Sequence, residues 1–263
     1  IHCESEIIVF TDVAIRTDPD CIKHIVENFY DQNIGVVSCR DAIISNPGSS
    51  QGEGSYIKYD MIVRKLTSKI ASLIGVTGGF YAVRKDIAMG GWNPAFPPDF
   101  YVALRCIKKG KRAIEDPRVR AYYKTAAKEW EELPRKVRTL NRGMQTLCSK
   151  GNIEMLNPFK YGIVALELFS HKLLRWMIPF FLIAILVSNC FLLTHSYIYT
   201  IIFICQILFY ILMCLSFIFR HKHLSNPLMR ISCYFAIAYL ALLKAWYEVA
   251  IGKKYSVWQP TKR

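Results

Sequence analysis

Acid is the scarce charge in this chain. Of 263 residues, 34 are Lys or Arg and 20 are Asp or Glu, a formal net charge of +14. So basic a balance raises the question of nucleic acid, yet no zinc-binding or RNA-binding signature accompanies it, and nucleic acid is set aside as a partner. A basic surface beside anionic lipid accounts for the charge equally well. Paired cysteines are also lacking. The nine cysteines stand singly with no CxxC among them, which argues against a disulfide framework or a zinc site and for reduced, buried thiols. An initiator methionine and a signal peptide are lacking at the start, where the chain enters EIIVF almost at once. A strand so apolar is expected to have parallel neighbours on both sides, so an upstream part of the domain is expected to be missing from this sequence. Charge of either sign is lacking over residues 177–194 and 198–219. Each is close to the roughly 20 residues that cross a bilayer.

These two stretches are predicted to span, joined by a hairpin at 195–197. Basic residues gather before the first (Arg135, Lys136, Arg138, Arg142, Lys150, Lys160, Lys172, Arg175) and after the second (Arg220, Lys222, Arg230), which places both flanks in the cytosol. Residues 231–251 are a third span or an in-plane helix, with Lys244 and Glu248 four residues apart and able to pair on one face. Residues 157–176 are predicted to form an amphipathic interfacial helix. Lys160, Glu167, His171 and Arg175 share its polar stripe, so His171 belongs to the interface rather than to catalysis. The expected division is therefore a partial cytosolic domain over 1–156, the interfacial helix, and a transmembrane region over 177–263.

Before residue 156, strands and helices alternate. Residues 6–10 form an apolar strand ending at Thr11-Asp12, and Asp18-Pro19-Asp20 precedes a helix over 21–30 with Ile22, Ile25, Val26 and Phe29 at helical spacing. Residues 34–40 form the next strand. A flexible loop is expected at 46–54, an amphipathic helix at 56–73, and a glycine-rich turn into a strand at 75–85. Asp99 opens a helix through Lys108 that Gly110 ends, and AIEDPRVRAYY holds another strand. This alternation predicts an α/β layered domain.

Several residues carry candidate chemistry. Asp12 stands at a strand's carboxyl end, where α/β folds build metal-diphosphate or nucleotide contacts; an Asp bonding its own turn would look the same. Asp99 suits a general base and equally a helix N-cap. Gly75, Gly78 and Gly79, in a turn with Thr77, allow close approach of a ligand or simply a tight turn. Arg135, Lys136 and Arg138 follow Pro134 at a helix start. Their charge opposes the helix dipole there, so an anion nearby is expected: a diphosphate or membrane phosphate.

Together these segments resemble the family 2 membrane glycosyltransferases, the group of hyaluronan, chitin-oligosaccharide and cellulose synthases and many bacterial exopolysaccharide enzymes. The resemblance rests on VFTDVA at 9–14, GEGSYIKYD at 52–60, IGVTGGFYAVRK at 74–85, PPDF at 97–100, PRKVRT at 134–139, FSHKLLRW at 169–176 and WQPTKR at 258–263. It implies a GT-A (Rossmann-like) domain, incomplete at its N-terminus, followed by C-terminal transmembrane helices. Asp12 matches the first acid of the metal motif that holds Mg or Mn on the donor diphosphate, with Ala14 at the second ligand position. Asp99 matches the base for the acceptor hydroxyl, with Pro98 in place of the preceding acid. Arg138 matches the arginine of the QxxRW motif, with Arg135 at the Gln position and Thr139 at the Trp position. Gly75, Thr77, Gly78 and Gly79 match an acceptor and donor loop. The implied activity is inverting transfer from a nucleotide sugar, UDP-linked by resemblance, to a polysaccharide or glycolipid at the cytosolic face of a bacterial cytoplasmic membrane. Membrane lipid and polysaccharide-export proteins would be partners. Single transfer to a polyprenyl phosphate or lipid is one alternative, and an inactive transferase-like scaffold is another.

Overall fold

Short apolar segments bounded by turn residues pair into one mixed sheet. A computed structural model describes residues 4–44, 51–124, 133–219 and 226–255, except for the side chains of 43–44, 51–58 and 124. The elements of the first part are β1 (Ile7–Thr11), β2 (Arg16–Thr17), α1 (Cys21–Glu27), β3 (Ile34–Ile44), α2 (Gln51–Ile70), β4 (Phe80–Arg84), α3 (Lys85–Ala88), α4 (Pro98–Lys108), β5 (Arg112–Lys124) and α5 (Leu133–Cys148). The five strands lie in the order β1-β4-β3-β5-β2. β3 and β5 are parallel and the other pairs antiparallel. It follows that β1, β3 and β5 run the same way, with their carboxyl ends at one edge. The fold is mixed α/β.

One strand expectation fails. The apolar segment at 6–10 is not a central parallel strand but the edge strand β1, antiparallel to β4 from Ile7↔Arg84 to Thr11↔Phe80. Its continuous apolarity has another cause. Ile8 and Phe10 pack against the core on one sheet face (Val36, Tyr81, Val83, Val102), and Ile7 and Val9 against the core on the other (Ile25, Val37, Ala82, Val119). Composition thus reports that both faces are covered; it carries no information about hydrogen-bonded neighbours. Smaller shifts follow the same physics. α1 buries Cys21 and Ile25, with Phe29 in the 3₁₀ turn behind it, while Ile22 and Val26 face outward. Asp20 makes no side-chain cap. α2 begins at Gln51 rather than 56, so part of the expected loop is helical; residues 46–50 and the WQPTKR segment lie outside the described residues.

The second part comprises α6 (Pro158–Tyr161), α7 (Ile163–Leu168), a π-helical turn (Phe169–Leu173), α8 (Leu174–Trp176), α9 (Ile178–Leu192), α10 (Tyr197–Ile218) and α11 (Pro227–Ala250). Two helices are long and apolar enough to cross a membrane: α10, with mean hydropathy 2.7, and α11, with 1.5. α9, the core of the first predicted span, has only 15 residues and meets the length only together with Ile163–Trp176, across a 64° bend. α9 and α10 are joined by polar side chains: Asn189 Nδ2 donates to Gln206 Oε1 at 2.9 Å, and the Tyr210 hydroxyl donates to the Leu182 carbonyl at 3.0 Å. Such bonds hold helices together where lipid supplies no hydrophobic drive.

The predicted interfacial helix is broken twice. Gly162, at φ +54, ends α6, and the π-helical turn shifts the phase behind α7. The proposed polar stripe therefore does not form. Glu167 is buried, whereas Ile163, Leu166, Phe169 and Leu174 are exposed. The predicted Lys244–Glu248 pair is also replaced. The Glu248 carboxylate takes Lys253 Nζ and the Tyr255 hydroxyl, each at 2.7 Å, and Lys244 points outward.

The two parts share one core. Phe100 and Leu104 of α4, Val137, Met144 and Leu147 of α5, Val164 and Leu168 of α7, Trp176, and Ala241, Leu242 and Ala245 of α11 form a single buried cluster. Trp246 Nε1 donates to the Trp176 carbonyl at 2.9 Å.

Candidate functional site

Asp12, Asp99 and the glycines meet at the turn between α2 and β4, beside the carboxyl end of β1 and the middle of β3. Asp99 is the second residue of α4, with Pro97 as the N-cap and Pro98 fixing the first helical φ. Its side chain does not cap the helix conventionally. The carboxylate instead folds back onto the backbone N–H groups of Phe100 and Asp99 itself. Oδ2 lies 3.5 Å from the point where a Cβ on Gly78 would stand, and the Asp99 carbonyl accepts from the Val76 N–H at 3.1 Å. Among the described residues no side chain hydrogen-bonds to this carboxylate, so lone pairs remain for an incoming hydroxyl.

The electrostatics are those of a half-buried acid beside cations. Burial pushes the Asp99 carboxyl above its usual range, and the charges of Lys172 and, more weakly, Arg142 pull against that rise. Burial depresses the Lys172 ammonium, and Asp99 opposes this. The Tyr81 hydroxyl is pushed up by burial and then by the Asp99 charge, which places the phenol near the acid.

Asp12 enters from the other side of the same turn. It is exposed, and its N–H donates to the Gly79 carbonyl at 2.8 Å. Gly79 makes a close approach here, since a Cβ would meet Ile15 Cδ1 at 2.8 Å and the isoleucine would have to shift. The adjacent glycines thus connect the two predicted acids, Asp12 through Gly79 and Asp99 through Gly78. Gly75 lies against Phe100 and Lys172. Thr77 does not face this opening. It is buried, with its N–H and Oγ1 each 3.0 Å from Ser38 Oγ, and it anchors the turn to β3.

Arg138 and Arg142 lie one turn apart on α5. Burial lowers Arg142, Asp99 raises it and Arg138 lowers it further, so the three form one charged group. Arg142 donates to the carbonyls of Pro94, Ala95 and Phe96 at 3.0, 3.2 and 2.6 Å, tying down the loop that leads into Asp99. Arg135 sits half-buried in the first turn of α5, three residues before Arg138.

Sequence reasoning singled out neither Lys172 nor Arg142 as site residues. The signal for Arg142 was its spacing of four residues from Arg138. Lys172 falls in the series Val164, Leu168, Lys172, Trp176, which is visible only once the π-helical turn is known. Behind the site, Arg64 of α2 donates to Ser38 Oγ at 3.0 Å and lies 3.6 Å from the buried Glu115. Burial pushes Asp41 up to about 6 in the same layer.

Among the described residues no three His, Cys, Asp or Glu gather as a metal site. Asp12 offers one exposed carboxylate. That donor set does not make a preformed cage, but it fits an ion of the magnesium type, which keeps waters and takes its other ligands from a substrate's phosphates. Comparison with protein families and with curated proteins finds no match to this chain.

Proposed function

We propose that this protein is an inverting glycosyltransferase with a GT-A domain, moving a sugar from a nucleoside diphosphate donor to a hydroxyl acceptor beside the membrane. The observation that carries this reading is the Asp99 carboxylate. It is half-buried, held above its usual range by loss of water and, among the described residues, free of side-chain hydrogen bonds, beside the carboxyl end of β1 and within the field of Lys172 and Arg142.

In the proposed step, the acceptor hydroxyl lies against Asp99 near Gly78. Its oxygen forms the new bond to the anomeric carbon while the bond from that carbon to the diphosphate oxygen breaks on the opposite face, inverting the centre. The proton passes to Asp99, and the electron pair leaves with the diphosphate. A raised carboxyl is a better base near neutral pH than an ordinary aspartate. Arg138, beside Arg142 on α5, supplies positive charge for the leaving group. Arg142 itself is committed to the loop carbonyls and fixes the approach of Asp99. A divalent ion held by Asp12 would neutralise charge on the same diphosphate. The exposed apolar residues Ile163, Leu166, Phe169 and Leu174 would lie in the headgroup layer, holding this opening at the lipid surface.

The test uses the full chain in lipid nanodiscs with a panel of nucleotide sugars, UDP-linked donors first. Release of nucleoside diphosphate that disappears in Asp99→Asn is expected. No release with any donor would favour the scaffold reading, and product analysis separates a polymer from a singly glycosylated lipid.

A further inference from the structure

The series Val164, Leu168, Lys172, Trp176, buried except for the half-buried lysine, advances by four residues at each step. In an α-helix such a step overshoots a turn by roughly 40°, so three steps would carry the last member about a third of the way round. The π-helical turn Phe169–Leu173 takes in an extra residue and cancels this drift. Leu168 and Trp176 are accordingly both in the shared core, with Lys172 between them on the same side. Single π turns of this kind are rare and occur at functional sites.

Here the turn delivers an ammonium group into the protein. Lys172 Nζ sits 4.8 Å from the centre of the Phe100 ring, the residue directly after Asp99. It is 4.0 Å from the place a Cβ on Gly75 would occupy, in the turn that Asp99 touches at Gly78. Drawing an ammonium even partly out of water is unfavourable unless something answers its charge. The Phe100 face does so in part, and Asp99 is the anion that acts on it most. Among the described residues no hydrogen bond joins the two, so the lysine exerts its charge without occupying the carboxylate.

We propose that Lys172 is a positioning residue for Asp99, seated on Phe100 so that its charge holds the carboxylate toward the Gly75–Gly78 turn. This rests on the proposed role of Asp99, but it is testable without turnover. The other charged groups around the pair are Arg142 of α5 and Tyr81 of β4 on the Asp99 side. On the lysine side they are Arg175 and His171 of its own segment and Asp60 and Arg64 of α2. None of these takes the Phe100 seat.

The experiment is a carboxyl titration of the full chain in nanodiscs with ¹³C-labelled aspartate, the Asp99 resonance being identified by its loss in Asp99→Asn. Lys172→Met is expected to move the Asp99 midpoint to higher pH by about one unit or more, as loss of a nearby opposite charge does. Lys172→Arg should hold it close to the native value. Phe100→Leu, which removes the seat and leaves the lysine, should shift it in the same direction by less, and it serves if Lys172→Met does not fold. In active protein the acid limb of the kcat/KM profile should move with the resonance. An Asp99 midpoint unchanged in folded Lys172→Met or Phe100→Leu would overturn the proposal. A protein without transferase activity whose Asp99 midpoint still shifts would retain the coupling and lose only the assigned reaction.

Discussion

Two carboxyl groups, the half-buried Asp99 and the buried Glu167, are both raised by loss of water, and they are kept in opposite ways. Asp99 is raised by burial but has a lysine on the neighbouring ring, a guanidinium behind it and two backbone N–H groups on its oxygens. Glu167, five residues before Lys172, has none of these. Its Oε2 is buried without a hydrogen-bond partner among the described residues, and burial alone pushes it up to about 7. Burial by itself therefore raises Glu167 without giving its carboxylate a partner, whereas at Asp99 a cation and a helix start act against the rise and favour the charged form.

The difference should be largest in catalysis. Asp99→Asn is expected to lower turnover by roughly 10²–10⁴, the range for loss of an acid–base group, while Glu167→Gln leaves it within about a factor of two. Steady-state release of nucleoside diphosphate measures both, and equal losses would erase the distinction. Next in size is the support behind Asp99. Arg142→Ala frees the Pro94, Ala95 and Phe96 carbonyls, and charged hydrogen bonds contribute about 1.5–3 kcal/mol each. A fall in kcat of roughly ten- to a hundredfold is expected if part of that energy holds the loop. Retained kcat would show that α4 is positioned without it.

Stability gives the contrast from the side of Glu167. Its folded value lies above the ordinary 4.5, so the protonated group favours the folded state. That contribution is whole below about pH 4.5 and is lost as pH rises toward 7, amounting to on the order of 2–3 kcal/mol. Thermal midpoints of the full chain are expected to fall across this window, and Glu167→Gln should flatten the slope. An identical slope in the variant would mean that Glu167 finds a partner in solution. The smallest effect concerns Asp12, which is exposed and, in the proposed reaction, would share a divalent ion with the substrate. Asp12→Asn should raise the magnesium concentration needed for half activity while leaving the Asp99 pH profile in place. A changed profile would join the two acids more closely than their separate glycine contacts suggest.

Much of this contrast was hidden from sequence. Strand and helix order could be found because apolar runs, Pro98 and Gly110 act locally, and Asp12, Asp99 and Arg138 stood out because acids and bases at element ends are conspicuous. The edge position of β1 could not be found, since Ile7 to Phe10 are apolar on account of two covered faces. Glu167 was misplaced and Lys172 overlooked for a single reason. An ideal helical wheel drawn over 160–176 ignores the break at Gly162 and the extra residue at 169–173, and each changes which side chains turn inward. Lys244 and Glu248 were paired by spacing, but a lysine and a tyrosine just beyond the helix reach the glutamate with better geometry.

The core that α4, α5 and α7 share with α11 also bears on how the protein can be divided. Composition draws a line after residue 156, with a water-soluble half before it and a lipid-soluble half beyond. Folding ignores that line, because Ala241, Leu242 and Ala245 fill space beside Val137 and Met144. A chain ended before Pro227 to gain solubility would bare this surface and should aggregate, whereas a monodisperse product on size-exclusion chromatography would show the helix to be dispensable. Change in either half is then answerable to the other: a larger side chain at Ala241 or Ala245 would press on the helix that carries Arg138 and Arg142, so the membrane anchor and the charged opening are inherited as one part.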